Sequence, residues 1–116
     1  MSIQRIGAGP RMAKAVVHGD TVYLAGQVAA NAAGKSVGEQ TADILSIIDG
    51  ILAEAGTDKS KLLMVNIRLS DISTFAEMNA VWDKWVVAGQ TPGRATVEAK
   101  LAAPQYTVEI AVIAAK

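Results

Sequence analysis

The 116 residues are 51% hydrophobic and 19% charged, a composition that fits one folded globular domain and leaves no room for two. Eleven Lys+Arg balance eleven Asp+Glu, which argues against the broad basic footprint that nucleic acid or an anionic membrane surface calls for. There is no cysteine and one histidine, His18, so disulfides, thiol chemistry and zinc sites built from Cys or several His are excluded.

The first six residues, Met1 to Ile6, have neither the apolar run nor the cleavage pattern of a signal peptide. No stretch approaches the roughly 20 apolar residues of a membrane span, so the expectation is a soluble, cytoplasmic protein. Ala13 to Val17 and Thr21 to Ala25, joined across His18-Gly19-Asp20, predict a β-hairpin, because glycine supplies a left-handed turn residue without steric cost. His18 is then an exposed turn residue and not a general base. Gly7-Ala8-Gly9-Pro10 is no phosphate loop: the Lys-Ser/Thr ending is missing and no helix follows.

Asn31 to Lys35 is a small, polar loop. Ser36 and Glu39 have the spacing of a capping box, and Ile44, Ile47, Ile48, Ile51, Leu52 and Ala55 follow at helical intervals until Gly56. Leu62 to Leu69 alternates as a strand should, with Leu63, Val65, Ile67 and Leu69 on one side and Met64, Asn66, Arg68 and Ser70 on the other. A second helix is predicted from Ser73 or Thr74 to about Ala88-Gly89, with Phe75, Met78, Trp82 and Trp85 on one stripe. These tryptophans read as core or interface packing, not as a platform for bases.

Two β-rich segments, Arg94 to Glu98 and Tyr106 to Ile110, close the chain and are expected to pair as a hairpin centred near Ala102-Ala103. In that register Arg94 faces Ala111 and Thr96 faces Glu109, all on one side of the sheet, with space for a small carboxylated molecule between Arg94 and Glu109. The order β-hairpin, α, β, α, β-hairpin makes an α+β domain whose two helices cover one sheet face. The other face carries Ala25, Ala95 or Thr96, Ala111 and Ile113, too apolar for water, and self-association is the simplest remedy.

Arg94 offers a planar fork of donors that can hold a carboxylate bidentately; the plainer alternative is an ion pair with Glu98 or Asp83. Glu109, between Val108 and Ile110, can hold or activate a water, or simply partner Arg94 or a backbone amide. Asn79 lies beside Met78 on the inward stripe, where tying the helix to a loop or strand is the natural role and binding the substrate the other. Gly26 could offer its N–H and Thr96 its C=O to a ligand.

Gly9-Pro10, Leu24-Ala25-Gly26-Gln27-Val28, Asn79, Arg94-Ala95-Thr96-Val97-Glu98 and Val108-Glu109-Ile110 stand in an order that resembles the RidA/YjgF family of small enamine/imine deaminases, also labelled endoribonuclease L-PSP or translation inhibitor. The resemblance spans nearly the whole chain, including the interval from Arg94 to Glu109. It implies a chorismate-mutase-like fold and a homotrimer around a central barrel, with sites in the clefts between subunits. Arg94 would grip the carboxylate of an acid such as 2-iminopropanoate, the tautomer of 2-aminoacrylate. Gly26 and Thr96 would orient it, and Glu109 would position the attacking water, with no metal or organic cofactor and no nucleic-acid or membrane partner. Three positions depart from the family pattern. Arg11 stands where a cleft tyrosine is usual, Ala25 replaces a frequent serine and Thr96 a usual cysteine. Arg11 would add a second cation suited to a bulkier or dianionic acid. A non-catalytic ligand-binding trimer and a ribonuclease are the competing functions.

Overall fold

The structure is a computed structural model that describes residues 2–116. Seven strands form one sheet: β1 (Ile3–Ile6), β2 (Ala15–His18), β3 (Thr21–Leu24), β4 (Gln27–Val28), β5 (Leu62–Leu69), β6 (Gly93–Glu98) and β7 (Val108–Ala115). Their spatial order is β1-β2-β3-β7-β5-β6, with β4 pairing β7 beyond the end of β3. Two helices, α1 (Val37–Glu54) and α2 (Phe75–Trp85), pack on one face.

Local chemistry sets most of these elements. The β2–β3 hairpin closes with His18 opposite Thr21, and Gly19 takes the positive φ of +61° that the two-residue turn requires. Ser36 caps α1: its Oγ accepts from the Glu39 N–H at 3.2 Å and donates to Glu39 Oε1 at 3.0 Å. At the other end Gly56, at φ +83°, lets the Thr57 N–H reach Leu52 O and its own N–H reach Ala53 O, the Schellman arrangement. The core lies between α1 and the sheet, where Ile44, Leu45, Ile48 and Leu52 meet Val22, Val65, Ile67, Ile110 and Val112. No helix among the described residues is long and apolar enough to cross a membrane.

The expected C-terminal hairpin does not form. β5 lies between β6 and β7: it pairs β6 in parallel, with Val65 opposite Arg94 and Ile67 opposite Thr96. It pairs β7 antiparallel, with Ile67 opposite Ile110 and Arg68 opposite Glu109. The reason is connectivity. β5, α2 and β6 form a strand–helix–strand unit, whose crossover returns the chain parallel to β5. The segment from Ala99 to Thr107 then crosses to the other side of β5. It is held there by Ala99 N–H to Leu69 O and Ser70 N–H to Thr107 O, at 2.9 and 3.0 Å. Thr96 therefore does not face Glu109.

Smaller differences have local causes. A register shift between Leu62 and Met64 turns Leu63 outward to 51% exposure, while Leu62 joins the core. Helix α2 ends at Trp85, short of Ala88-Gly89, because Val86 is already extended at ψ 145°. Of its apolar stripe Met78 and Trp82 are buried, Trp85 is half-buried and Phe75 is exposed.

The face away from the helices is uncovered. Its rows across the sheet are Arg5–Val16–Tyr23–Ile113–Met64, then Ala111–Asn66–Ala95, then Val28–Glu109–Arg68–Val97. Ala95, Ala111 and Ile113 thus take the open side as expected, whereas Thr96 lies on the helix side. Tyr23 and Val97 are 45% and 52% exposed.

Candidate functional site

The side chains singled out in the sequence fall into two groups on opposite faces of the protomer. The first is built at the sheet edge, where β6 meets α2. Arg94 shares its row with buried Val65 and Val112, so it points to the helix side. Its Cζ lies 5.6 Å from the centroid of the Phe75 ring and 5.3 Å from that of Trp82. Two aromatic faces hold the guanidinium by cation–π attraction without consuming its N–H donors. The alternative ion pairs with Glu98 or Asp83 do not form; Glu98 instead accepts from the Ile72 N–H at 3.1 Å. Among the described residues no acceptor bonds Arg94, and the side chain is half-buried.

Asn79 sits four residues after Phe75 and three before Trp82, on the stripe that cradles Arg94. It is half-buried, and its amide ties to no loop or strand among the described residues, contrary to the structural role expected for it. Thr96 follows Arg94 by two positions on the same face, and its Oγ1 is buried with no hydrogen-bond partner among the described residues. An unopposed guanidinium and an orphaned hydroxyl on the sheet edge, and a free amide on the helix beside it, are donors and acceptors without a partner among the described residues. Of the three, the buried Thr96 hydroxyl is the costly one to leave unpaired.

The second group lies on the open face. Glu109 stands in β7 with β4 and β5 on its two sides. Between the pairs Tyr23–Ile113 and Gln27–Ile110, three residues on one strand oppose two on the other, so the chain bulges at Ala25-Gly26. The Glu109 carboxylate folds onto this bulge. A Cβ at Gly26 would lie 3.0 Å from both Glu109 Cδ and Oε2, so a side chain there requires the carboxylate to shift. Arg68 Nη1 reaches Glu109 Oε2 at 3.2 Å, with the two side chains 40% and 29% exposed.

Arg94, Asn79 and Thr96 thus come together, and so do Gly26 and Glu109, but β5 and the thickness of the sheet separate the two sets. A facing Arg94–Glu109 pair within one protomer is overturned. Arg11 joins neither set; it is exposed on the β1–β2 connection, four strands away from β6. A separate groove of about 570 Å³, lined by Met12, Lys14, Gly26, Val28, Ile47 and Gly50 among others, runs between α1 and the β1–β2 connection. It touches the second group only through Gly26.

Two contributions were missed in the sequence. Arg68 was placed on the outward side of its strand, but its meeting with Glu109 required knowing that β5 pairs β7. Phe75 and Trp82 were read as packing, and their second use as the seat of Arg94 depended on β6 lying beside α2.

Comparison with known proteins places this geometry in a family. The sequence model described as Endoribonuclease L-PSP matches residues 2–116. A RutC family protein of Haemophilus influenzae is 43% identical over 114 residues, covering 98% of both chains. The RutC family protein YoaB of Escherichia coli strain K12 is 45% identical over 115 residues, covering 99% of each. The crystal structure of NMB1025 from Neisseria meningitidis, a member of the YjgF protein family, superposes with a TM-score of 0.97 at 48% identity, over 100% of this chain and 96% of that one. With its two helices on an open mixed sheet and near full-length identity to these relatives, the chain belongs to the RidA/YjgF family.

Proposed function

We propose that the protein is a cofactor-independent deaminase that hydrolyses small enamine or imine acids, of the 2-aminoacrylate/2-iminopropanoate type, to 2-oxo acids and ammonia. The observation that carries this reading is Arg94: a guanidinium fixed on two aromatic rings, half-buried and without a counter-charge among the described residues. Its natural ligand is a planar carboxylate. Beside it, the Thr96 carbonyl on the β6 edge and the Asn79 amide supply the polar contacts that orient the rest of a small acid.

Hydrolysis of an imine needs little more. Water adds to the electrophilic C=N carbon, the carbinolamine collapses, and ammonia leaves with the carbonyl formed in its place. Holding the imine beside an oriented water accounts for much of the rate. Glu109, folded over Gly26, is the group suited to hold that water. Because one protomer keeps Arg94 and Glu109 on opposite faces, the working site is formed between copies. The β6 edge of one subunit abuts the Gly26–Glu109 bulge of the next, in a homotrimer that also covers the apolar open face. Cyclic association of this heterologous kind brings two different patches together at every interface.

The test is ammonia release from imines made in situ by an amino-acid oxidase. The wild type should accelerate release over the spontaneous reaction, and Arg94→Ala should lose at least about 100-fold in kcat/KM while keeping its fold and oligomeric state. No acceleration by the wild type would remove the enzyme reading.

A further inference from the structure

The ion pair on the open face bears on how Glu109 works. Its backbone is pinned on both sides, by Arg68 of β5 and Val28 of β4. Backbone pinning does not fix a glutamate side chain, which retains three rotatable bonds. Two contacts do. Gly26 admits the carboxylate because it has no Cβ, and Arg68 Nη1 holds Oε2 at 3.2 Å. Oε1 has no partner among the described residues, so one oxygen is anchored and the other is free to accept from a water. Arg68 has no substitute. Its row otherwise holds Val28 and Val97, and the neighbouring row holds Ala111, Asn66 and Ala95, with no further charge.

We propose that Arg68 is a positioning residue: it clamps Oε2 of Glu109 so that Oε1 presents the hydrolytic water at a fixed place. This rests on the deaminase reading above for its consequence in rate, but not for the clamp itself. Arg68 does not touch the substrate carboxylate, which belongs to Arg94, so its loss acts on turnover and not on binding. Misplacing a catalytic group by about 1 Å costs on the order of 100-fold, which sets the scale of the effect. A half-exposed ion pair contributes little to stability, so Arg68→Met leaves the fold standing.

The experiment compares wild type, Arg68→Lys, Arg68→Met, Glu109→Gln and the Arg68→Met/Glu109→Gln double variant in the ammonia-release assay, with crystal structures of the wild type and the two Arg68 single variants. Arg68→Met is expected to lower kcat by about 10- to 100-fold with KM within about twofold, and Arg68→Lys to recover much of the loss. In the Glu109→Gln background Arg68→Met should change nothing further, because the clamp has no carboxylate left to hold. A kcat within twofold of wild type, a loss that falls on KM, or full additivity with Glu109→Gln would overturn the assignment. The crystals decide it even if no imine is turned over. One Glu109 orientation in the wild type and several in Arg68→Met supports the clamp, and an unmoved carboxylate in Arg68→Met refutes it. An inactive wild type with an intact clamp would instead count against the deaminase reading alone.

Discussion

Gly26 shows how much a single residue can decide. Its position at the bulge between β3 and β4 brings backbone and carboxylate close together, and an added Cβ, 3.0 Å from the carboxylate, would push the Glu109 side chain from its present place. Gly26→Ala is therefore expected to cut kcat by about tenfold or more while leaving the thermal midpoint nearly unchanged, since the flexible glutamate can swing away without unfolding anything. A variant as active as the wild type would mean that Glu109 does not work from this position. Arg94 illustrates the limit of reading residues singly. Its type and strand position announced a carboxylate grip, but only folding reveals that Phe75 and Trp82 hold it and that no acid among the described residues pairs with it.

At the scale of elements, what was legible in the sequence was what local chemistry dictates. The Gly19 turn, the Ser36–Glu39 box, the Gly56 terminator and the alternation of β5 all act within a few residues. What was not legible was strand order. Segments 93–98 and 108–115 look like neighbours along the chain, yet the strand–helix–strand run from Leu62 to Glu98 takes precedence and inserts β5 between them. The crossing segment is fastened by Gln40, fully buried in α1. Its amide donates to the carbonyls of Lys35 and Gln105, and its Oε1 accepts from the Thr107 N–H, each at 3.0 Å. Gln40→Leu leaves the Lys35 carbonyl and the Thr107 N–H without these partners, while Gln105 O keeps the Gly34 N–H at 2.9 Å, and should cost about 1–3 kcal/mol, read as a lower urea midpoint at unchanged slope. A loss below about 1 kcal/mol would show that water or relaxation replaces the clamp.

The entry to α2 is held by a titratable carboxylate. Asp71 accepts from the hydroxyl and the amide of Ser73, at 2.7 and 2.9 Å, and these bonds hold its carboxyl below the ordinary aspartate value. A depressed folded-state pKa stabilises above the unfolded value and loses that contribution as pH falls through the folded one. The difference in urea midpoint between wild type and Asp71→Ala should therefore be full at pH 5 and shrink below about pH 4, near the unfolded aspartate value. A difference independent of pH would assign the effect to something other than the carboxylate.

At the scale of the molecule, one protomer carries its two groups of candidate residues on opposite faces and leaves a sheet face with Tyr23 and Val97 exposed. The apolar open face was foreseeable from alternation, and sites between subunits from the resemblance; that Arg94 and Glu109 lie on opposite faces of one protomer was not, because it follows from strand order. Mixing subunits tests this division most directly. Arg94→Ala and Glu109→Gln should each keep only about 1% of wild-type activity as pure oligomers. If each site takes Arg94 from one subunit and Glu109 from its neighbour, equal co-expression of the two rebuilds intact sites at random. About a quarter of wild-type imine hydrolysis should then return. Mixed oligomers that remain as inactive as their parents would contradict a site shared between subunits.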